Sequence, residues 1–223
     1  MFKRLRARSI LLLVATCASA GALAFAWLMR PSPLFSSLPV ATTASFGHAG
    51  DPVNVAFVGD EASIIRAFHA ARWLVPEPVT AASALKMAAA SALDAPYPSA
   101  PVSDLRLFGR VQDLAFELPA GSARERHHVR LWRTTMLVSG KPLWIGSASY
   151  DSGIELSGTT ALPTHHVSPN VDGERDFAAR TLADAGTVQT ETTARIGYPT
   201  LWGFNGGGDW YFDDGLIQVL TLR

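Results

Sequence analysis

The stretch "HHVRLWRTTMLVSGKPLWIGSASY", residues 127–150, decides the fold that the sequence predicts. Polar and apolar side chains alternate along 127–135, which is the period of a strand with two unlike faces. The apolar-rich run 141–150 follows after Ser139–Gly140, a pair that is typical of a two-residue turn. We therefore predict that the two runs form an antiparallel hairpin.

Shorter strand-like runs and three helical patterns surround this hairpin. The apolar runs lie at 53–59, 105–110 and 113–118, and two more flank Asp213–Asp214–Gly215, where we expect a second hairpin. Helical spacing occurs at 60–73, at 80–93 with Thr80 as its cap, and at 168–186, where Ser168 or Asn170 would cap the start and Gly186 would end the helix. The mixture predicts an α+β fold with a mostly antiparallel sheet and two or three helices.

Composition narrows the class of protein. The chain has 223 residues, nearly half of them apolar, and its formal net charge is zero. That length suits one domain with an appendage. The charge balance lacks the basic excess that nucleic-acid binding needs, so we predict no nucleic-acid partner. The single cysteine, Cys17, excludes an internal disulfide framework and a cysteine-based zinc site.

The N-terminus has the pattern of a membrane anchor. Four basic residues within the first eight precede an uncharged run, Ser9–Met29, and Arg30 follows it. A run of roughly 20 apolar residues can span a bilayer as one helix. Its length favours a single-pass anchor over a cleaved signal peptide, for which "ASA" at 18–20 is the candidate cleavage site. The basic flank predicts that the N-terminus faces the cytoplasm.

This pattern predicts where the protein is located in the cell and how the chain is divided into segments. Residues 1–30 would be the transmembrane anchor (or a signal peptide), 31–50 a flexible tether rich in Pro, Ser and Thr, and 51–223 the globular domain. The protein would then lie in the inner, cytoplasmic membrane with its C-terminal domain in the periplasm or outside the cell. Its expected partners are the membrane and an envelope component or membrane protein.

Five motifs in one order carry a resemblance to a known family. They are "PVSDLRLFGRVQDLAFE" at 101–117, "RHHVRLW" at 126–132, "LWIGSASYDSGIEL" at 143–156, "THHVSPNVDGERDF" at 164–177 and "FDDG" at 212–215. Together they resemble the LssY C-terminal domain family, from about residue 51 to the C-terminus. Members of this family are often joined to multi-pass membrane proteins of the lipid-phosphatase type, and the domain itself has no firmly assigned activity. The phosphatase signature is not found in this sequence, so the resemblance does not imply that catalysis.

Two adjacent histidine pairs are the leading candidates for chemistry. His127–His128 and His165–His166 hold four of the six histidines. Neighbouring strand residues point to opposite faces, so at most one histidine of each pair can enter a given site. Histidine and carboxylate ligands suit zinc or a similar divalent ion. The candidate metal ligands are His127, His128, His165, His166, Asp172 and Asp176.

The same segments offer acid–base and anion-binding groups. The candidate catalytic residues are His128, His166, Asp172, Glu174 and Asp151, and the candidate ligand-binding residues are Arg110, Arg130 and Arg175. A purely structural role is open for each of them. A strand histidine often bonds a neighbouring carbonyl, and acidic residues in a first helical turn complement the helix dipole.

Two functions remain open at this stage. One is a hydrolase, with or without metal assistance, that acts on an envelope or lipid-derived substrate. The other is a non-catalytic binding or accessory module for an envelope component or a membrane protein. The aromatic stretch "LWGFNGGGDWYF" at 201–212 would suit a binding loop. No G-x-S-x-G motif is present, which disfavours a serine hydrolase of that type.

Overall fold

A long hairpin is the centre of the protein in the computed structural model, which describes residues 2–44, 47–93, 95, 97–121, 125–156 and 163–223. Its two strands are β7 (Glu125–Val138) and β8 (Lys141–Leu156). Val138 pairs with Lys141, and the turn residues Ser139 and Gly140 have φ of 51° and 79°. Two successive positive φ angles match the twist of the flanking strands. The predicted hairpin and its turn are confirmed.

The remaining elements alternate between short strands and helices. They are α1 (Phe2–Leu28), β1 (Ala41–Thr43), β2 (Ala49–Pro52), β3 (Val55–Val58), α2 (Glu61–Ala70), α3 (Ala81–Ala92), β4 (Arg106–Leu107), β5 (Arg110–Val111), β6 (Leu114–Pro119), β9 (Pro163–Val167), α4 (Val171–Asp184), β10 (Val188–Arg195), β11 (Thr200–Phe204), β12 (Trp210–Asp213) and β13 (Leu216–Leu222). The predicted α+β class is confirmed.

The main sheet has seven strands in the order β10-β13-β3-β8-β7-β6, and β9 pairs with the far end of β8. Its pairings are antiparallel except for that of β13 with β3. A second sheet has the order β2-β1-β4-β5, and β11 and β12 form a separate two-stranded hairpin. The mostly antiparallel arrangement predicted from the sequence is confirmed.

The second hairpin predicted around Asp213–Gly215 is wrong. β12 pairs with β11, while β13 pairs with β10 and β3, so the chain passes from one sheet to another at this point. The carboxylate of Asp213 accepts the amide of Gly215 at 2.5 Å, and that of Asp214 accepts the amide of Leu216 at 2.8 Å. These side-chain bonds mimic backbone turns and redirect the chain without closing a hairpin.

The two faces of the main sheet bury different cores. On one face α2 and α4 cover an apolar cluster that includes Phe57, Phe68 and Trp144. On the other face the four-stranded sheet covers a second cluster that includes Trp132 and Ile145. The two tryptophans lie on opposite faces because Trp132 pairs with Ile145 and Arg133 with Trp144 across the hairpin.

The segment 31–50 is part of the domain, which corrects the prediction of a flexible tether. Phe35 is buried in the second core cluster, and the segment contributes β1 and β2 to the smaller sheet. The amide of Ser32 donates to the carbonyl of Arg195 at 2.7 Å. The sequence offers little periodicity here because the segment enters the fold through single side chains and strands of three and four residues.

The N-terminal helix α1 has exposed apolar side chains. Along its described side chains, Leu23, Phe25 and Trp27 are all exposed. In the part of the chain that the structure describes, no helix combines enough length and apolar character to cross a membrane. The transmembrane anchor remains a prediction.

Asn170, one of the two N-cap residues predicted from the sequence, fixes the start of α4. The Asn170 side chain accepts the amide of Gly173 at 3.0 Å, which satisfies one of the free donors of the first turn. The helix begins at Val171, which is buried, and it presents Glu174 and Phe177 towards the main sheet. The cap therefore sets the position of the polar groups that α4 contributes to the candidate site.

Candidate functional site

Three histidines each bond a carboxylate, and they lie in three different environments. His127 and His128 are neighbours in β7, and their rings point to opposite faces of the sheet, as a regular strand requires. His166 lies in β9 at the far end of β8. The carboxylates are those of Glu174, Asp151 and Asp209, respectively.

His127 faces the helices. Its Nδ1 lies 2.9 Å from Oε2 of Glu174, and its ring stacks on Phe177 with the centroids 4.0 Å apart. Burial raises the pKa of Glu174, and the hydrogen bond to His127 opposes that rise. The imidazole is packed between α4 and the sheet, so this pair ties the helix to β7.

His128 faces the opposite side and is fully buried. Its Nε2 lies 2.7 Å from Oδ2 of Asp151. Burial lowers the pKa of His128 to about 4, although Asp151 acts in the opposite direction. The ring is therefore neutral at pH 7. Because a carboxylate only accepts, Nε2 carries the proton and Nδ1 is the acceptor, for which the described residues supply no donor.

A buried polar layer surrounds His128 on that face. The register places Arg126 opposite Asp151, His128 opposite Ser149, and Arg130 opposite Ser147. Burial raises the pKa of Glu117, and Arg126, whose Nη1 lies 3.1 Å from its Oε2, limits the rise.

The predicted ligand-binding arginine of this layer is engaged within the fold. Nη1 of Arg130 lies 3.6 Å from Oδ2 of Asp51, and its Nε donates to the carbonyl of Ser103 at 3.1 Å. Burial raises the pKa of Asp51, and Arg130 counteracts it. These side chains are enclosed, so the layer holds the two sheets together and does not present a surface to a substrate.

His166 is the accessible member of the three. Its side chain is 44% exposed, whereas that of Asp209 is 4% exposed. Nδ1 of His166 lies 2.6 Å from Oδ1 of Asp209. The other carboxylate oxygen accepts the amide of Val167 at 3.0 Å and the side-chain amide of Asn205 at 3.2 Å. A buried, firmly oriented carboxylate therefore holds a ring that solvent can reach.

Asp209 is not among the site residues predicted from the sequence. It follows the glycine run 206–208, and the side chain of Asn205 accepts the amides of Gly207 and Asp209 at 2.9 and 3.0 Å. A polar residue on each side of a glycine run is the signal that was available. This signal does not identify a site from the sequence alone, because the partner of Asp209, His166 in β9, lies more than 40 positions earlier in the chain.

Asp172 belongs to a different cluster. It lies with Asp213 and Asp214, and oxygen atoms of the three carboxylates are within 4.8 Å of one another. Nη1 of Arg175 bonds Asp172 at 3.2 Å and Asp214 at 2.8 Å. Burial and Asp214 raise the pKa of Asp172 to about 6. Such oxygen groups can hold a cation, but here the guanidinium already supplies positive charge and links α4 to the turn before β13.

Of the remaining candidates, Asp176 shares Arg175 with the Asp172 cluster, and Arg110 lies apart from it. Nε of Arg175 bonds Asp176 at 2.8 Å, and Arg110 pairs with Asp113 and donates to the carbonyl of Arg133 at 2.7 Å. The side chain of His165 lies outside the described residues. Of the six predicted metal ligands, those that the structure describes lie at four separate places: His127 beside Glu174, His128 beside Asp151, His166 beside Asp209, and Asp172 with Asp176 beside Arg175. The structure does not bring them together around one point.

A comparison of the sequence with protein-family models identifies a known domain family. The family model described as "LssY C-terminus" matches residues 35–217. The match begins at Phe35, which enters the core, and it includes β7, β8, β9 and the loop that carries Asp209. The chain belongs to the LssY C-terminus family. Comparisons with curated proteins and with solved structures found no match.

Proposed function

We propose that the protein is a membrane-anchored, extracytoplasmic hydrolase whose general base is His166. One observation carries this proposal: the buried carboxylate of Asp209 orients an imidazole that is 44% exposed. A carboxylate that holds one ring nitrogen selects the tautomer and leaves the other nitrogen as the basic one. His127 and His128 are less accessible, with side chains that are 17% and 1% exposed.

The chemistry follows from the atoms of this pair. Nδ1–H of His166 donates to Asp209, so Nε2 is the basic nitrogen. Nε2 accepts a proton from a water molecule, whose oxygen attacks the acyl carbon or phosphorus of an ester. The leaving oxygen then takes the proton back from Nε2–H. The carboxylate of Asp209 stabilises the imidazolium that forms between the two transfers.

The proposed address supports an envelope or lipid-derived substrate. The uncharged run Ser9–Met29 has the length of a bilayer span, and the four basic residues before it favour an N-terminus in the cytoplasm. Exposed Leu23 and Trp27 on α1 are the kind of surface that lipid would cover. A domain held at the membrane in this way is close to lipids and membrane proteins, which are therefore the expected substrates.

The test is hydrolysis by the purified full chain. Chromogenic carboxylic esters, phosphomonoesters and phosphodiesters are assayed first, followed by fluorescent phospholipids. We expect His166→Ala to lower kcat/KM by at least about 100-fold, the range of a lost general base. Asp209→Asn should also lower it, because an amide donor no longer selects the productive tautomer.

His69 provides the matched control. It lies exposed in the last turn of α2, outside the site, so His69→Ala should leave kcat/KM unchanged. A chelator added before the assay shows whether hydrolysis needs a metal ion. Activity that is lost with the chelator and returns with added zinc would indicate the metal-assisted form of the reaction. Full activity in His166→Ala would refute His166 as the base.

A second candidate, a binding module without catalysis, is favoured by an open pocket elsewhere on the domain. The pocket has a volume of about 380 Å³ and is lined by residues 75–79, Val102, Asp104, Gln112, Asp113 and Ala115. Its lining combines the apolar side chains of Val75, Val79 and Val102 with the carboxylate of Asp104, which suits a ligand with an apolar part and a cationic group. Glu77 and Asp113, which also line the pocket, are already paired with Lys86 and Arg110. Calorimetric titration with an alkylammonium probe tests this, and Asp104→Asn should weaken binding. No heat of binding would remove the support for this candidate.

A further inference from the structure

The two-stranded hairpin of β11 and β12 exposes an aromatic surface. It is joined to neither of the two larger sheets by backbone pairing. Leu201 and Trp202 are 74% and 73% exposed, and Phe204 and Trp210 are exposed as well. The rings of Trp202 and Trp210 lie 5.3 Å apart. We call the exposed side chains of Tyr198, Leu201, Trp202, Phe204 and Trp210 the aromatic patch.

The segment that carries most of the aromatic patch has no charged side chain. Residues 196–208 contain no Lys, Arg, Asp or Glu, and Asp209, which follows, is buried. Such a surface is costly in water because large apolar groups stay hydrated. Trp and Tyr with neighbouring apolar side chains occur at protein interfaces and at the lipid–water interface. The position of the aromatic patch, close to the residues that follow α1, favours the lipid–water interface.

The position of the patch relates it to the N-terminal helix. α1 ends at Leu28, and four residues later the amide of Ser32 donates to the carbonyl of Arg195 at 2.7 Å. Tyr198, the first residue of the patch, follows Arg195 by three positions. The fold therefore fixes the start of the patch to the point where the chain leaves α1.

The turn of the same hairpin also packs on the segment that follows α1. A Cβ added at Gly206 would lie 3.0 Å from Cβ of His48 and 3.1 Å from Cβ of Ala44. Only a glycine permits this close approach without displacing its neighbours. The turn of the hairpin and Arg195, which lies five residues before its first strand, thus both contact the residues that follow α1.

We propose that the aromatic patch lies in the interfacial region of the lipid bilayer, as a second membrane contact beside the N-terminal anchor. This inference rests on the anchor of the proposed function. With α1 in the bilayer, the bond between Ser32 and Arg195 keeps the patch near the membrane surface. The patch then fixes how the domain is oriented above the lipid, which a single helix does not.

Tryptophan quenching tests this with the full chain. The protein is reconstituted in phosphatidylglycerol–phosphatidylcholine vesicles whose phosphatidylcholine carries bromine near the headgroup end of its acyl chains. Trp27→Phe removes the fluorescence of the anchor, and the buried Trp73, Trp132 and Trp144 serve as an unquenched internal reference. We expect the Trp27→Phe protein to remain quenched by the brominated lipid.

A second variant assigns that quenching to the patch. Adding Trp202→Phe and Trp210→Phe to Trp27→Phe should abolish the quenched component, and the circular dichroism spectrum should be unchanged because both side chains are exposed. Quenching in the wild type but none in Trp27→Phe would overturn the inference and leave the anchor supported. No quenching in the wild type would contradict the anchor and the inference together. Quenching that survives in the triple variant would overturn the assignment to the patch.

Discussion

Trp144 offers the sharpest test of the fold because its two contributions to stability can be separated. Its side chain is buried on the helix face of the main sheet, and its Nε1 donates to the carbonyl of Gly59 at 3.1 Å. Trp144→Ala removes both the packing and the hydrogen bond. Trp144→Phe keeps most of the packing and removes the bond alone.

The two losses have different sizes. Removing a buried tryptophan side chain typically lowers the free energy of unfolding by about 3–5 kcal/mol, since the cavity only partly collapses. Leaving the carbonyl of Gly59 without its donor accounts for about 1–3 kcal/mol. We therefore expect Trp144→Ala to cost about 3–5 kcal/mol and Trp144→Phe to cost clearly less, at about 1–3 kcal/mol.

Urea unfolding followed by circular dichroism measures both values. Trp202→Ala is the matched control, because the same side chain is removed from a position that is 73% exposed. Its effect in detergent solution should stay within about 0.5 kcal/mol. A loss below about 1 kcal/mol for Trp144→Ala would refute the strand faces assigned to β8, since a side chain in the core cannot be removed so cheaply.

Three further predictions concern the histidines, pH and topology. His127→Ala should lower the free energy of unfolding by about 1–3 kcal/mol in urea melts, because it leaves Glu174 buried without its partner, and it should leave hydrolysis unchanged. Folding raises the pKa of Asp172 from 3.8 to about 6, so the folded state favours the protonated carboxyl. The stability that this protonation contributes is fully present below about pH 4 and is lost as the pH rises through 6, so the melting temperature should fall over that range. Asp172→Asn should make this fall smaller. An activity reporter fused after Arg223 should be active outside the cytoplasm, and the mature protein should keep its first residues; a mass that places the start near Gly21 would replace the anchor by a cleaved signal peptide.

The predictable part of the fold is the part that local sequence determines. The β7–β8 hairpin depends on an alternating pattern and on a two-residue turn, and both are properties of adjacent residues. The cap of α4 is equally local, because Asn170 bonds an amide three positions later. The segment 31–50 was misread because its role depends on Phe35, a single side chain whose burial is decided by the second core cluster.

The candidate site was only half predictable for the same reason. His166 and the alternation of neighbouring histidines follow from the sequence. The partner of His166 does not, since Asp209 comes from a glycine-flanked loop that meets β9 only in the folded chain. Asp172 lies only six positions from His166 and was predicted to share a metal site with the histidines, yet α4 directs it to Arg175 and Asp214. The number of residues between His166 and Asp172 limits how far apart the two side chains can lie, but it does not determine the direction in which each one points.

The pairing of β3 with β13 has a consequence for biogenesis. Val55 pairs with Gln218, and β13 lies inside the main sheet between β3 and β10, not at its edge. The middle of the sheet is therefore completed only after β13 has been synthesised. Until then β3 exposes an unpaired, wholly apolar edge, "VAFV", of the kind that aggregates. Contacts so distant in the chain also form slowly. A chain whose β13 has not yet joined the sheet keeps this edge open, and deleting the last few residues should lower the yield of folded protein more than deleting an equal number from an edge strand.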